Sequence, residues 1–512
     1  YDFSYAQGSR TSTVWSVIAW VCSMGWVDFI ADIQGAFLTT DVDTVVYIFQ
    51  PPGVPPVTGP SGEEMVLRMD KAMYGTVQAC RLFVMKLRQF VLGIGGEQSI
   101  DDQSCYRIDH KLGRIVLTIH IDDIIGGAST QAVADWFFDQ VKLAGFTFSS
   151  APGPWRTVLG FGVVRDPLNR TVTVTATKHI DDLVREHLSE ESFVLRNAYP
   201  STDELSDLVP PPPETDAERA EAESWRTRCR SLMGGLIYLS TVHPAIGNAT
   251  SRVCSLMARP TLQSFACAKR ILCWLQQHRT LGITFGAPSI RTVDDVIACG
   301  DTPPMHEKIN YNLTACCDAD LSSVAMHPGA EPRLPCASRS QLGWVISFMG
   351  GPIDFGSRRQ HSVALDTAAS EIMAASVCGA RLLSINGVVR FISFGALGDK
   401  HVPLYCDNDV CVLVSEDATS VKRLSYVARR ARFLQELRIH GHVVMRRVKG
   451  TENPADAFTK HLKDKKVFYN YTWRVFTTCP YHASRDAHAC MHFHPFLSDA
   501  AVTPHASTGG GV

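Results

Sequence analysis

The fold of the first half of the chain is decided by the stretch Thr118-Ile119-His120-Ile121-Asp122-Asp123-Ile124-Ile125-Gly126-Gly127. Its two adjacent carboxylates follow an apolar, β-branched run at 115–121 and precede a second apolar run that ends in glycines. Carboxylates in apolar surroundings are costly unless a cation lies between them. The stretch therefore predicts a divalent-ion site at a tight strand end, because Mg²⁺ prefers carboxylate oxygen together with phosphate and water. A solvated turn is the alternative interpretation of an Asp pair.

A third carboxylate, Asp32, follows another predicted strand and begins the string Asp32-Ile33-Gln34-Gly35-Ala36-Phe37-Leu38. Three more strings lie between this one and the Asp pair. They are Val46-Tyr47-Ile48, Gln50-Pro51-Pro52-Gly53 and Met73-Tyr74-Gly75-Thr76-Val77-Gln78-Ala79-Cys80-Arg81. In order and spacing these strings closely resemble the palm of copia-type retrotransposon reverse transcriptases, and the likeness covers most of residues 10–285.

The resemblance implies roles for single residues. Asp32, Asp122 and Asp123 would hold two Mg²⁺ ions, or Mn²⁺ in their place, for the addition of dNTPs to a DNA primer on an RNA template. Phe37 would block a ribose 2′-hydroxyl, with plain core packing as the alternative. Tyr74 and Gly75 would belong to the dNTP pocket.

The sequence departs from the family pattern in three ways. His120 stands where the family usually has Tyr, and Cys80 stands where it has Pro. Neither change removes a metal ligand. The basic fingers segment that precedes the palm in the family is not found, so we expect an incomplete polymerase half.

A second set of acids lies in the last third of the chain, each at a predicted strand end or in the first turn of a helix. The set comprises Asp318, Glu371, Asp407 and Asp456. Asn453 and Pro454 suit the N-cap and first position of a last helix. Nearby acids are assigned to solvated turns, namely Asp320, Asp366 and Asp409.

This region resembles the ribonuclease H domain of the same elements. The supporting strings are Phe355-Gly356-Ser357-Arg358-Arg359-Gln360, Val363-Ala364-Leu365, Asn453-Pro454-Ala455-Asp456 and Thr459-Lys460. The four acids fall on the family's metal-binding positions. The resemblance therefore implies hydrolysis of the RNA strand of an RNA–DNA hybrid with two Mg²⁺ ions.

Local charge points to the same substrate. Residues 418–466 contain 13 Lys and Arg against 4 Asp and Glu, whereas the whole chain has a net charge of −2. The predicted phosphate-binding residues are Arg429, Arg430, Arg432, Arg446, Arg447 and Lys449. A solvated helix face is the alternative, but a basic surface would bind the hybrid through its backbone rather than its sequence.

The chain has 512 residues, of which 45% are hydrophobic and 20% charged, so disorder, collagen and a disulfide-stapled miniprotein are excluded. We predict an α/β (α+β) class with a βββαβαβα ribonuclease H-like part. The predicted units are a palm at 1–177, a helical thumb and connection at 178–285, a linker at 286–310, the ribonuclease H-like domain at 311–466 and a flexible tail at 467–512. The first residue is Tyr, which indicates a fragment or processed product.

The remaining signals concern the surroundings of the protein. The longest apolar run, 13–27, is too short and mixed for a membrane span, so no membrane partner is predicted. Sixteen scattered Cys favour a reducing compartment. The resemblance implies a cytoplasmic virus-like particle with nuclear access rather than secretion.

The alternative functions are those of an inactive remnant that binds nucleic acid, and of a working ribonuclease H beside an inert scaffold. A zinc site in the Cys- and His-containing tail is the weaker interpretation of that segment.

Overall fold

A computed structural model describes residues 8–188, 215–286, 313–321, 339–397, 401–416, 426–460, 462 and 467–468, apart from residues 56, 169, 259 and 261. Within these ranges helices and strands mix along the chain, which confirms the predicted α/β class. The helices are α1 Thr11–Ser23, α2 Ala79–Gly93, α3 Gln131–Leu143, α4 Thr177–His187, α5 Asp216–Leu239, α6 Gly247–Cys254, α7 Leu262–Gln277, α8 Thr367–Ile392, α9 Asp409–Glu416 and α10 Ala428–Ile439.

The strands of the described residues form four sheets. They are β1 Val27–Asp32, β2 Tyr47–Ile48, β3 Leu67–Arg68, β4 Gly96–Gln98, β5 Cys105–His110, β6 Gly113–His120, β7 Asp123–Ala128, β8 Thr157–Val158, β9 Phe161–Asp166, β10 Thr171–Thr175, β11 Gly282–Phe285, β12 Thr314–Asp320, β13 Gln341–Phe348, β14 Gly351–Arg359, β15 Val402–Cys406 and β16 Val443–Arg447. Short 3₁₀ helices lie at Ala36–Thr39, Pro244–Ile246, Gly450–Glu452 and Pro454–Phe458.

The first sheet is antiparallel and has the strand order β1-β7-β6-β5-β4. Its strand β6 alternates between two hydrophobic clusters, because successive side chains of a strand point to opposite faces. Ile115, Leu117 and Ile119 join the cluster that includes residues of α2 and α3, whereas Val116 joins the cluster of α1. Both faces of the strand are covered, which explains its unbroken apolar run.

Helix α1 approaches this sheet closely. A Cβ atom placed on Gly127 would lie 2.4 Å from a methyl carbon of Val21, which is far inside van der Waals contact. Glycine at position 127 therefore permits the helix to pack directly on β7. Ten of the 13 residues of α1 are buried, so this helix is a core element of the fold.

The helical unit after the first sheet differs from the prediction at its end. We predict mostly helix for residues 217–285, but Gly282–Phe285 is the strand β11, which pairs antiparallel with β10. The second sheet, β11-β10-β9-β8, therefore joins residues from both sides of the predicted boundary at 177. Helix α5 begins with a reciprocal capping box that Thr215 and Glu218 form.

The third sheet has the order β14-β13-β12-β15-β16. Strands β14, β13 and β12 are antiparallel neighbours, and β15 and β16 continue the sheet in parallel with β12. Along the chain the elements of this region follow the order β12-β13-β14-α8-β15-α9-α10-β16. The predicted last helix is a short 3₁₀ helix, capped by Asn453 as expected.

Helix α8 is long and apolar enough to cross a membrane by length and composition alone. However, 67% of its most apolar window is buried, and it packs against β12, β13 and α10 as the core helix of the third sheet. Arg107 of β5 packs on Phe391, near the end of α8, and on Phe394, just beyond it, with the guanidinium 4.7 Å and 5.3 Å from the two ring centres. The first sheet thereby contacts the core helix of the third sheet.

Several predicted segments fall outside the described residues. These are the linker apart from Gly286, and the tail beyond residue 468 with its Cys and His residues. Of the predicted tail, Val467 and Phe468 are helical, and Phe468 packs on Trp274 with ring centres 5.9 Å apart. Phe468 therefore contributes to the core, whereas the predicted flexible tail beyond it lies outside the described residues.

Candidate metal centres

The first candidate site lies where β1 and β7 run side by side. Asp32, the last residue of β1, is the cross-strand partner of Asp123, the first residue of β7. Asp122 precedes it in the turn of the β6–β7 hairpin, and its carbonyl oxygen accepts a hydrogen bond from the backbone N–H of Ile33 at 3.1 Å. The three acids predicted from separate strings therefore lie together at one sheet end.

The hairpin turn that carries Asp122 is tight. His120 and Asp123 are a cross-strand pair, so only Ile121 and Asp122 form the turn. Ile121 has a φ of 59°, in the left-handed region that a β-branched residue rarely adopts. The surrounding pairs of the hairpin hold this conformation and project the Asp pair from the sheet end.

Electrostatics at this site favour a bound cation. Burial, with the charges of Asp122 and Asp32 adding to it, raises the pKa of Asp123 to about 6. Tyr74 lies alongside, with its hydroxyl 3.5 Å from Asp122 Oδ2, and burial followed by the two acids raises its pKa as well. A divalent ion would offset this repulsion.

The predicted pocket residues occupy the same corner. Phe37 is buried, and its ring centre lies 4.4 Å from that of Tyr74 and 6.1 Å from that of Phe83. Phe37 thus belongs to the core, and it also contacts Tyr74, which lies beside Asp122. Both interpretations of Phe37 are therefore compatible with its position. Gly75 has a φ of 95° and no neighbouring atom within 4 Å of a built Cβ, so conformation rather than space favours glycine there.

The raised pKa of Asp123 predicts a pH effect on the metal-free protein. A carboxyl whose pKa is higher in the folded than in the unfolded state stabilises the fold below its ordinary pKa of 3.8 and loses that contribution as pH rises through about 6. Urea unfolding in EDTA should show a smaller decline over this range for Asp123→Asn than for the wild type. An identical decline in both proteins would contradict the assignment.

The second candidate site gathers the four acids of the third sheet. Asp318 stands in β12, Glu371 in α8, Asp407 directly after β15, and Asp456 in the 3₁₀ helix Pro454–Phe458. Carboxylate oxygens of Asp318, Asp407 and Asp456 all lie within 4.8 Å of one another. A second such group joins Glu371 and Asp407 with the thiol of Cys406.

Among the described residues these are the groups with metal-ligand spacing, and the acids of the first site do not form one. The second site is therefore the more compact of the two. Asp318, Glu371 and Asp456 are almost fully buried, at 1%, 3% and 3% exposure. Asp456 Oδ1 is buried and has no hydrogen-bond partner among the described residues.

Burial dominates the electrostatics of the second site. It raises the pKa of Glu371 to about 11, and it also raises the pKa values of Asp407 and Asp456. The pKa of Asp318 is raised by burial and next by the charge of Asp456. Clustered carboxyls whose pKa values are all raised are expected at a site that binds a divalent ion, because the ion would stabilise their charged forms.

Sequence reasoning missed two members of this cluster. Thr459 donates its hydroxyl proton to Asp318 Oδ2, and Lys460 Nζ lies 2.7 Å from Asp456 Oδ2. Both residues were part of the family string, and the i,i+4 spacing of Asp456 and Lys460 was the available signal.

The three acids assigned to solvated turns have other partners. Asp366 is the N-cap of α8 and accepts the backbone N–H of Ala369 at 2.8 Å. Asp320 lies 3.6 Å from Arg252, and Asp409 lies 2.8 Å from Arg447. None of the three joins a group with metal-ligand spacing in the described part of the chain.

The basic residues divide into two kinds. Arg430 donates to the hydroxyl of Ser376 at 2.9 Å and is half-buried, so it also supports the packing of α10 on α8. The other five predicted residues are exposed, namely Arg429, Arg432, Arg446, Arg447 and Lys449. Lys449 precedes Gly450, where an added Cβ would lie 3.1 Å from Asp407 Oδ2, so this end of the basic stretch adjoins the second site.

Comparison with known proteins covers both halves of the chain. The family model "Reverse transcriptase (RNA-dependent DNA polymerase)" matches residues 1–187. The Retrovirus-related Pol polyprotein from transposon TNT 1-94 of Nicotiana tabacum is 24% identical over 436 residues, which are 84% of this chain and 29% of that protein. The corresponding polyprotein from transposon RE1 of Arabidopsis thaliana is 21% identical over 93% of this chain and 29% of its own length.

The chain thus spans less than a third of the length of these curated relatives. Among solved structures, a foamy viral protease-reverse transcriptase in complex with an RNA/DNA hybrid aligns with a TM-score of 0.46 and 12% identity. That alignment covers 87% of this chain and 46% of the viral chain. Residues 1–187 therefore match the reverse transcriptase family, and the similarity to the retrotransposon Pol polyproteins over most of the chain supports the resemblance to a copia-type reverse transcriptase fragment.

Proposed function

We propose that the chain has two activities, RNA-directed DNA polymerisation at the first site and hydrolysis of the RNA strand of an RNA–DNA hybrid at the second. The observation that carries the first is the convergence of Asp32, Asp122 and Asp123 at one sheet end within the matched reverse transcriptase domain. The substrates are then dNTPs, an RNA template and a DNA primer.

The second activity rests on geometry in the third sheet. Three carboxylates from separate elements meet within 4.8 Å, and the buried Asp456 Oδ1 has no hydrogen-bond partner among the described residues. The donor set is rich in carboxylate oxygen, which suits Mg²⁺ or Mn²⁺. When bound, such ions would activate water and stabilise the leaving 3′-oxygen.

The chain's own residues supply position and charge. The ligands stand on rigid elements, because Asp318 lies in β12, Asp407 directly follows β15 and Glu371 lies in α8. The exposed basic residues beside Asp407 would hold the hybrid through its phosphates, in a manner that weakens with salt and ignores sequence. We further propose action within a cytoplasmic virus-like particle.

Two assays separate this proposal from its alternatives. Extension of a DNA primer on a homopolymer RNA template tests the first site, and cleavage of a labelled RNA–DNA hybrid tests the second. Cleavage without extension would favour a working ribonuclease H beside an inert scaffold. Neither activity with Mg²⁺ or Mn²⁺, together with salt-sensitive binding of the hybrid, would favour an inactive remnant.

The role of Phe37 gives a further prediction. If its ring lies beneath the ribose, Phe37→Val makes room for a 2′-hydroxyl and raises rNTP incorporation relative to dNTP. If Phe37 only packs against Tyr74 and Phe83, the substitution instead lowers the free energy of unfolding by a few kcal/mol without changing sugar selection. Selectivity and melting temperature are to be measured on the same protein, with Phe83→Val as the core-only control.

A further inference from the structure

The second site contains a cation supplied by the chain itself. The ammonium nitrogen of Lys460 lies 2.7 Å from Asp456 Oδ2 and 3.7 Å from Asp318 Oδ1. These two carboxylates, together with Asp407, form one of the two groups with metal-ligand spacing among the described residues. Lys460 therefore neutralises part of the charge that a divalent ion would neutralise.

The position of Lys460 is fixed from its backbone. Its carbonyl oxygen accepts a hydrogen bond from Asn248 Nδ2 at 2.7 Å, and the carbonyl of Thr459 accepts one from Arg252 at 3.3 Å. Both donors stand on α6 of the helical unit, outside the third sheet. Helix α6 thus holds the segment that delivers the ammonium group.

The side chain of Lys460 is nevertheless open to solvent on one side. It is 39% exposed, whereas the carboxylates of Asp318 and Asp456 are 2% and 5% exposed. A long flexible side chain can turn toward solvent while its backbone stays fixed.

We propose that Lys460 is an internal counter-cation, which balances the acids when no metal is bound and must turn outward when a divalent ion enters. This inference rests on the proposed second metal site. Its consequence is that Lys460 sets the Mg²⁺ concentration that the site requires. A phosphate ligand for the hybrid is the competing role of this side chain.

The test compares the full chain with Lys460→Met, which removes the charge, and Lys460→Arg, which keeps it. The melting temperature is followed against Mg²⁺ concentration without nucleic acid, starting in EDTA. We expect Lys460→Met to bind Mg²⁺ about tenfold more tightly, on the scale by which neighbours of metal ligands change metal affinity. Lys460→Arg should bind no more tightly than the wild type. Any ion bound at the first site contributes equally to all three proteins.

Cleavage of a labelled hybrid provides the second measurement. The Mg²⁺ concentration for half-maximal cleavage should fall in Lys460→Met, in step with the melting data. An unchanged or higher Mg²⁺ requirement, with a raised KM for the hybrid, would overturn the inference and assign Lys460 to phosphate binding. If no protein cleaves the hybrid, the proposed function fails, but the melting series still decides whether Lys460 opposes metal binding.

Discussion

Hydrolysis of the RNA strand is expected to disappear in Asp407→Asn. Asp407 belongs to both groups with metal-ligand spacing. Its loss should therefore weaken ion binding both beside Asp318 and Asp456 and beside Glu371. We expect cleavage of a labelled hybrid to fall by more than about 100-fold, because loss of an outer partner of a metal ligand already costs roughly 10- to 100-fold. Glu371→Gln should behave in the same direction.

The control lies two residues further along the chain. Asp409 is exposed, pairs with Arg447 at 2.8 Å and joins no metal-ligand group, so Asp409→Asn should retain cleavage. Binding of the hybrid to Asp407→Asn should persist and should weaken steeply with added salt, because it depends on the basic residues. Robust cleavage by Asp407→Asn would rule out the proposed site.

Folding is not expected to suffer from this change. Burial raises the pKa of Asp407, which means that its charged form is already disfavoured in the metal-free protein. An amide of the same shape removes that cost, so the melting temperature in EDTA should be maintained or raised. A lost activity with a retained melting temperature separates a ligand from a merely structural residue.

Much of the architecture follows from local sequence patterns. An apolar run followed by acids predicts the strand β15 and the position of Asp407 directly after its end. The apolar run of β6 and the glycines after the Asp pair likewise predict the tight strand end that carries Asp122. Such features depend on the nearest residues alone, so a single sequence is sufficient to predict them.

Other features depend on partners that are distant in sequence. Residues 282–285 form a strand only because β10 offers an edge for pairing. The hydrogen bond from Asn248 to Lys460 joins residues 212 positions apart, and no local pattern announces it. The left-handed φ of Ile121 is imposed by the pairing of β6 with β7 against the preference of a β-branched side chain.

These long-range contacts also bear on the hypothesis that the two activities are separable. The chemistry of each site uses its own acids, so a substitution at one should spare the other. The fold is less divisible, because α6 supports the Thr459 and Lys460 segment and Arg107 of β5 packs on α8. Substitutions in the whole chain are therefore a cleaner test of each site than removal of either half.

Incorporation of dNTPs is expected to disappear in Asp122→Asn. Asp122 stands in a two-residue turn beside the Asp32 and Asp123 pair, where the strained φ of Ile121 fixes its direction. Removing one unit of ligand charge weakens the hold on Mg²⁺, and incorporation should fall by more than about 100-fold on the same scale as above. The measurement is primer extension on a homopolymer template, in this chain and in a form extended upstream to include a fingers segment.

The prediction for Asp122→Asn has a matched control. Asp139→Asn on the exposed face of α3 is the matched control, since its carboxylate is 68% exposed and pairs only loosely with Lys142 at 3.5 Å. It should extend the primer as the wild type does. Folding of Asp122→Asn should survive, because one fewer charge beside Asp123 relieves the repulsion that helps to raise its pKa. Unchanged incorporation by Asp122→Asn, in a form whose wild type is active, would show that the first site is not where nucleotides are joined.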